Sequence, residues 1–509
     1  MYRRSPPGQL SFENFYLPFG GKLSGENRWI RLAGLIPWES FETEYAEQFS
    51  QGQGAPAKTF RMALGALIIK EKLGTSDEET VEQIRENPYL QYFLGLSEYR
   101  DEAPFEASMM VHFRKRLNLE IIGRINEQVI KQCIEPSQEN TGSEENDKDD
   151  KDEPPNQGQL ILDASCTPAD IRYPTDLNLL NEAREQTESI IDILYNQVRD
   201  QGKKKPRTDR CQARKAYLEI AKQRQAKSKK IRKAIRQQLG YVRRNLAHIE
   251  ALVAAGASLT ALSKYQYRNM LVVSEVFRQQ QWMYEQRCHR IDHRIVSISQ
   301  PHVRPIVRGK AGTPVEFGAK ISVSCIDGKA FLDHLSWDNF NESGDLPQQV
   351  ELFKSRFGHY PESVHVDQIY RNRENRAFCR ERGIRISGSP LGRPVKNELA
   401  AVRKQTLEDA KVRNQIEGKF GQGKRRFGLG LVMAKLAATS ESAIAVSFLV
   451  MNLEWLLKQL LFFLFSVSMS CWESLVSRKE LLYFDAMAIP RRIRRCDYLF
   501  TPSYLPLFA

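Results

Sequence analysis

Two stretches decide how this chain is to be read: Gly158–Cys166, GQLILDASC, and Glu362–Tyr370, ESVHVDQIY. Each is a short run of strand-forming residues that arrives at one aspartate, Asp163 in the first and Asp367 in the second. Each therefore reads as a strand ending in an acid. A carboxylate at the end of a central strand sits on the rim of a sheet, rigidly aimed at solvent. Two such strands side by side bring oxygen ligands within reach of one hard cation. Mg²⁺ suits that arrangement, because it prefers oxygen, keeps several waters and takes few protein carboxylates beside substrate phosphate oxygens. A third acid from a helix packed on the same rim would complete a two-metal site, one ion activating the attacking hydroxyl and the other stabilising the leaving oxygen.

The natural third acid is Glu417, the lone carboxylate of Lys411–Gly430, KVRNQIEGKFGQGKRRFGLG. In a continuous helix Arg413, Glu417 and Lys424 fall within about 40° of one another. The acid would then hold a metal while Arg413, Lys424 and the following Arg425 and Arg426 meet a DNA backbone. Gly418, Gly421 and Gly423 weaken the expected continuity near Lys424. The pattern alone fits a surface ion pair between Arg413 and Glu417 as well, worth only about 0.3–0.5 kcal/mol, and that is the simpler reading.

The chain around these segments has 509 residues, 41% of them hydrophobic, enough to bury a sizeable core in two or three domains. Its formal net charge of +13 suits a polyanionic partner, nucleic acid being the commonest. Eight cysteines contain no CxxC pair, which argues against a zinc ribbon or a dense disulfide framework and leaves reduced intracellular thiols as the expectation. The N-terminal segment has no apolar stretch of the secretory kind, so a cytoplasmic protein is expected. One apolar run starts at Ala443, but Glu454 and Lys458 interrupt it. A buried or dimer-forming helix is expected there rather than a membrane span.

Residues 1–135 read as a helical N-terminal domain for DNA binding or dimerisation. TFRMALGALIIKEKLG has helical apolar spacing and ends at Gly74, TSDEETVEQIRENP opens on an N-cap signature and stops before Pro88, and APFEASMMVHFRKRLN ends on Arg114, Lys115 and Arg116. Short helices with a basic terminus fit a helix-turn-helix-like module, though other small bundles look the same. Residues 136–157 read as an acidic disordered linker, since Glu135–Glu153 holds nine acids against two lysines. Residues 158–177 open an α/β domain that resumes at 301–440, and 178–300 read as a basic helical insertion within it. Gln201–Gly240 carries fifteen lysines and arginines against Asp209 and Glu219. So one-sided a run points to contact with backbone phosphate, with Lys203, Lys204 and Lys205 as candidates. Residues 441–509 form the apolar helix and a tail.

After Pro301, FGAKISVSCIDGKAFLDHLSW alternates around Asp327-Gly328, a hairpin cue. NRENRAFCRERG reads as a helix closed by Gly383, IRIS as a strand, and NELAAVRKQTLEDAKVRNQIEGKF as a long helix. Lys310 and Lys320, in VRGKAGTPVEFGAK, are further candidates for phosphate, although loop solubility explains them nearly as well. Rival constellations are weaker. CHRIDH sets His289 and His293 at i, i+4 but lacks the glutamate of a zinc hydrolase helix. Asp170, Asp327 and Asp333 stand where turn and surface acids are ordinary. GSPLGRP lacks the Lys-Ser/Thr of a P-loop, so no nucleotide cofactor is expected.

The spacing Arg413-x3-Glu417-x6-Lys424 resembles the signature around the catalytic glutamate of bacterial insertion-sequence DDE transposases, of the insertion sequence five and four type. LILDASCTPADIRYPTDLNLLNEARE, HVDQIYRNRENRAFCRERGIRISG and SDEETVEQIRENPYLQYFLGL extend the resemblance over most of the chain. It implies an RNase-H-like mixed sheet with a large helical insertion, preceded by an all-α domain. It also implies cleavage and strand transfer dependent on two Mg²⁺ ions, or Mn²⁺, with Asp163, Asp367 and Glu417 as catalytic metal ligands. The implied partners are double-stranded DNA (terminal inverted repeats and target) and a second copy of the chain, with no membrane, in the cytoplasm at the nucleoid. Two positions depart from the family: Ala410 where a tyrosine is frequent, and DQIY where the second aspartate is often followed by glycine and an aromatic. A nuclease of the same fold that does not join, and a non-enzymatic DNA-binding protein, are the alternatives.

Overall fold

The computed structural model describes residues 2, 11–50, 56–134, 154–202, 204–307, 315–388 and 399–485. The acidic segment expected as a linker lies largely outside them, as do Lys203 and Lys310. The chain divides after Trp455 into a unit of residues 1–455 and a second of residues 456–509.

Helices α1 (Arg28–Gly34), α2 (Glu42–Glu47), α3 (Phe60–Leu73), α4 (Asp77–Glu86), α5 (Pro88–Phe93), α6 (Met109–Arg116) and α7 (Leu119–Ile134) come first. Their boundaries follow from local chemistry. Thr59 caps α3, which stops at Gly74 in the left-handed region, φ 67°. Ser76 caps α4 by accepting from the Glu79 amide, and Pro88 takes the first position of α5, where its missing N–H costs nothing. The basic end of α6 is not wholly a free surface, because Arg114 is buried and forks onto Asp77 of α4.

The sheet is built from β1 (Gln159–Pro168), β2 (Arg304–Val307), β3 (Val315–Ile326), β4 (Lys329–Ser336), β5 (Ser363–His365) and β6 (Arg385–Ile386). Its order is β2-β3-β1-β5-β6, with β4 also paired to β3. Pairings among β1, β2, β3 and β4 are antiparallel, whereas β1–β5 and β5–β6 are parallel. The β3–β4 hairpin turns at Asp327 and Gly328, both with positive φ, as the Asp-Gly pair predicts. The mixed α/β sheet expected from the sequence is present.

Between β1 and β2 come α8 (Asp176–Val198), α9 (Arg210–Ala221), α10 (Ser228–Ala254) and α11 (Lys264–Gln286). They pack on one another through their own apolar clusters, one joining Leu180, Ala183, Val242, Val273 and Val276. The remaining helices are α12 (Leu346–Phe357), α13 (Arg373–Glu381), α14 (Leu399–Arg426) and α15 (Ala437–Asp485). Strand alternation divides the sheet into two faces. Leu160 and Leu162 of β1, Val364 of β5 and Val366 beyond it share a core with Leu346, Val350 and Phe353 of α12. α14 packs on the other face. α15 begins in the first unit, where Ile444, Phe448, Leu449, Met451 and Leu453 are buried, as a core helix requires.

Candidate active site

Asp163 is not at the end of its strand. β1 runs on to Pro168, because β3 pairs with it from Ile161 through Pro168. On its other edge β1 pairs with β5 only from Gln159 to Ile161, in the register Gln159 with Ser363 and Ile161 with His365. Continued by two residues, that register sets Asp163 beside Asp367, on strands about 4.8 Å apart. Asp367 lies just past the last paired residue of β5 and caps the following turn by accepting from the Gln368 amide. The two acids thus share a face and a level, where β5 has stopped bonding and β1 continues.

α14 crosses that face. It is continuous through Gly418, Gly421 and Gly423 to Arg426, so the helix runs on to Lys424 despite the glycines. Gly423 is there for space, since a Cβ would come within 2.6 Å of Leu429 Cδ1. Ile416 is fully buried beneath the helix, and its neighbour Glu417 is exposed. Arg413 Nη1 donates to Asp367 Oδ1 at 3.1 Å, and Nη2 reaches Glu417 Oε1 at 3.5 Å. The ion pair and the acid cluster, posed as alternatives by the sequence, are therefore one arrangement: Arg413 links the second aspartate to the glutamate. With all three side chains more than a third exposed, these pairs contribute little to stability, about 0–1 kcal/mol each.

Among the described residues no group of three or more His, Cys, Asp or Glu forms a metal cluster. The donor chemistry of Asp163, Asp367 and Glu417 still fits a hard divalent cation, being all carboxylate oxygen. A cationic group, the Arg413 guanidinium, already lies between two of them. Beneath the turn after Asp367, Tyr370 is fully buried in the apolar core. Burial, then the charges of Glu342 and Asp163, push its hydroxyl pKa up, so it stays neutral. The aromatic of DQIY is thus a core residue, with Ile369 exposed, and Ala410 is an exposed position on α14.

The C-terminal end of α14 borders a cavity of about 830 Å³ lined by Lys424, Arg425 and Arg426 on one side and by Lys70, Asp77 and Arg114 of the N-terminal helices on another. Gly428 follows at φ 64°, where a Cβ would run into Glu71 Oε1. Glu71, from α3, accepts a hydrogen bond from the Ser447 hydroxyl at 2.9 Å, and burial raises its pKa.

Of the other cations singled out in the sequence, Lys205 pairs with Asp192 at 2.7 Å. Lys320 is largely buried, pairs with Glu342 and donates to the Phe340 carbonyl at 2.7 Å, so it faces no phosphate. Lys204 is exposed. The exposed charge lies further along. Arg214, Lys215, Lys222, Arg224, Lys227, Lys229, Lys230, Lys233 and Arg236 form an exposed tip at the end of α9 and the start of α10. Their one acidic neighbour in that run is Glu219, and among the described residues none of the nine side chains takes part in an ion pair. Lys205 is exposed as well; what separates it from them is its pairing with Asp192, since among the described residues the nine have no acidic partner.

The rival constellations resolve plainly. α11 ends at Gln286, so His289 and His293 do not share a helix, and each lies near a different acid, Asp176 and Asp338. Asp170 pairs with Lys435 at 2.5 Å. Asp327 is exposed, whereas Asp333 is buried against Arg356 at 2.8 Å and is not the surface acid expected.

Comparison with known proteins adds two family matches. Residues 364–454 match a transposase DDE domain, and residues 18–116 match a transposase domain (DUF772). The first match includes Asp367, Arg413 and Glu417 and implies an RNase-H-like fold, with which the sheet order agrees. An uncharacterized protein of Rhizobium meliloti, ORF8 in the nfe locus, is 33% identical over 154 residues, which is 30% of this chain and 68% of that protein. No solved structure matches.

Proposed function

The chain belongs to the DDE transposases, and on that premise we propose that it cuts and joins DNA at the terminal inverted repeats of an insertion sequence. Asp163, Asp367 and Glu417 would hold the divalent metal that the family uses, as two Mg²⁺ or Mn²⁺ ions. Bound there, the metal supplies activation of an attacking oxygen and stabilisation of the leaving one. The chain's own residues do the rest. β1 and β5 fix two carboxylates in a rigid sheet, and α14 brings the third over them. Arg413 is placed to exchange its carboxylate partners for a DNA phosphate when the acids take metal. Lys424, Arg425 and Arg426 continue the basic track toward the N-terminal helices. Those helices and the exposed tip of α9 and α10 would bind the DNA ends, two of which must meet, so a homodimer at the nucleoid is the expected working form.

The observation that carries this reading is the shared face of Asp163 and Asp367 with Arg413 joining Asp367 to Glu417. The test uses duplexes bearing the DNA that flanks the gene. Mg²⁺-dependent nicking at the repeat boundary is expected, followed by joining of a pre-cleaved 3′ end to target DNA. Asp367→Asn should abolish both while leaving duplex binding intact. Nicking without joining would reduce the protein to a nuclease, and binding without metal-dependent nicking would reduce it to a DNA-binding protein.

A further inference from the structure

A second polar cluster lies on the same sheet face, nearer its edge. Asp409 of α14 is 6% exposed, yet its carboxylate receives four hydrogen bonds. Arg385 of β6 forks onto both oxygens at 3.0 Å each, and the Gly388 amide and the Gln405 side chain donate at 3.2 Å. His365 of β5, 1% exposed, brings Nδ1 to 3.6 Å from Asp409 Oδ1, with Nε2 at 3.1 Å from Ser363 Oγ. A buried carboxylate is costly unless its lone pairs are met, and a bidentate guanidinium also fixes its orientation. The cluster therefore binds α14 at a defined point to β5, to β6 and to the turn after β6.

Helix geometry connects that point to the candidate active site. Arg413 lies one turn beyond Asp409 and Glu417 two turns beyond, about 12 Å along the axis. Ile416 resists lifting of the helix, but apolar contact is non-directional and permits sliding. A slip of one residue would turn Glu417 by about 100° away from Asp367. His365, facing Asp409, ends β5 two residues before Asp367, so clamp and acid are joined by a single residue of backbone.

We propose that Asp409, clamped by Arg385 against His365, is a positioning residue that sets the rotation and axial place of α14 and so brings Glu417 to Asp163 and Asp367. It touches neither metal nor DNA. The proposal rests on the reading of those three acids as a metal site.

The test measures Mn²⁺ binding to the full DNA-free chain by electron paramagnetic resonance, beside duplex affinity and circular dichroism. Asp409→Asn and Arg385→Ala should weaken Mn²⁺ binding by about 10–100-fold, the range for outer-shell partners of metal ligands, with duplex affinity and helix content unchanged. Arg385→Lys, which keeps the charge but loses the fork, should recover part of the loss. If Asp409→Asn does not fold, Arg385→Ala decides, since the Arg385 side chain is 43% exposed and its removal leaves no cavity. Folded Asp409→Asn and Arg385→Ala proteins that bind Mn²⁺ like wild type, while Glu417→Gln loses it, overturn this proposal alone. A wild type that binds no Mn²⁺, or a Glu417→Gln protein that binds it normally, overturns the three-acid reading and this proposal with it.

Discussion

The sheet face under α14 and the tip of the helical insertion hold charge in opposite ways. On the sheet, a few charges are fixed by many contacts: Asp163 by its place in the β1–β3 pairing, Asp409 by four donors, Glu417 by the buried side chain next to it. On the tip, nine exposed cations stand on two helices and the turn between them, with one acid among them. The difference matches the tasks proposed for each. Bringing three carboxylates to one cation requires positions accurate to a fraction of an ångström, and a rigid sheet supplies them. Attraction to a phosphate backbone requires only number and exposure, because each contact acts by releasing counterions whatever the base sequence.

Substitutions on the two regions should therefore separate chemistry from binding. The largest effect is expected at the acids. Asp163→Asn and Glu417→Gln should each lower metal-dependent cleavage by more than about 100-fold, beyond the cost of losing an outer-shell partner. Their duplex affinity, read by gel shift, should stay at the wild-type level; a parallel loss of binding would erase the contrast. On the tip the outcome should reverse. Changing Lys227, Lys229 and Lys230 together to glutamine should reduce the slope of log affinity against log salt by about 2.7, at about 0.9 per phosphate contact. Cleavage within the bound complex should be unchanged.

A smaller effect probes the rigid side from behind. Burial raises the pKa of Glu71, against the opposing Ser447 hydrogen bond and the charges of Lys70 and Arg114. The folded state then holds its proton above the ordinary value of 4.5, so this group's contribution to stability falls as pH rises. Glu71→Gln should raise the melting temperature by a few degrees at pH 7, with the gain vanishing below about pH 4.5. A constant gain at both pH values would mean that the proton is not involved. The smallest effect is expected at Lys205, whose charge already faces Asp192. Lys205→Gln should leave the salt slope within about half of one phosphate contact, and a full unit lost would bring that lysine into the DNA surface.

The sequence carried the two regions unequally. Asp367 could be found because β-branched residues lead straight to it, and Glu417 because it is a lone acid among cations. The position of Asp163 in mid-strand was missed: ASCTP after it has no apolar run, yet small side chains are what a strand buried on both faces accepts there. The continuity of α14 near Lys424 was only weakly legible because its glycines argue against it, whereas Gly423 answers to the packing of Leu429. Charge in the insertion was visible as a sum, but Asp192, which pairs with Lys205, stands thirteen residues before it and marks itself in no pattern. Arg114 and Asp77 are likewise brought together only by the fold. Asp409 did leave a trace, in the run Asp409, Arg413, Glu417 at four-residue steps along one helix.

The central claim is that Asp163, Asp367 and Glu417 form one metal site, and the most direct measurement is local cleavage of the polypeptide by iron. Fe²⁺ substituted for Mg²⁺, with ascorbate and peroxide, generates radicals that cut the backbone only beside the bound ion, and mass spectrometry maps the cuts. The account predicts cuts clustered near residues 163, 367 and 417, suppressed together by excess Mg²⁺ and by Asp367→Asn. Cuts near His289 and His293 instead, or none that Mg²⁺ suppresses, would contradict it.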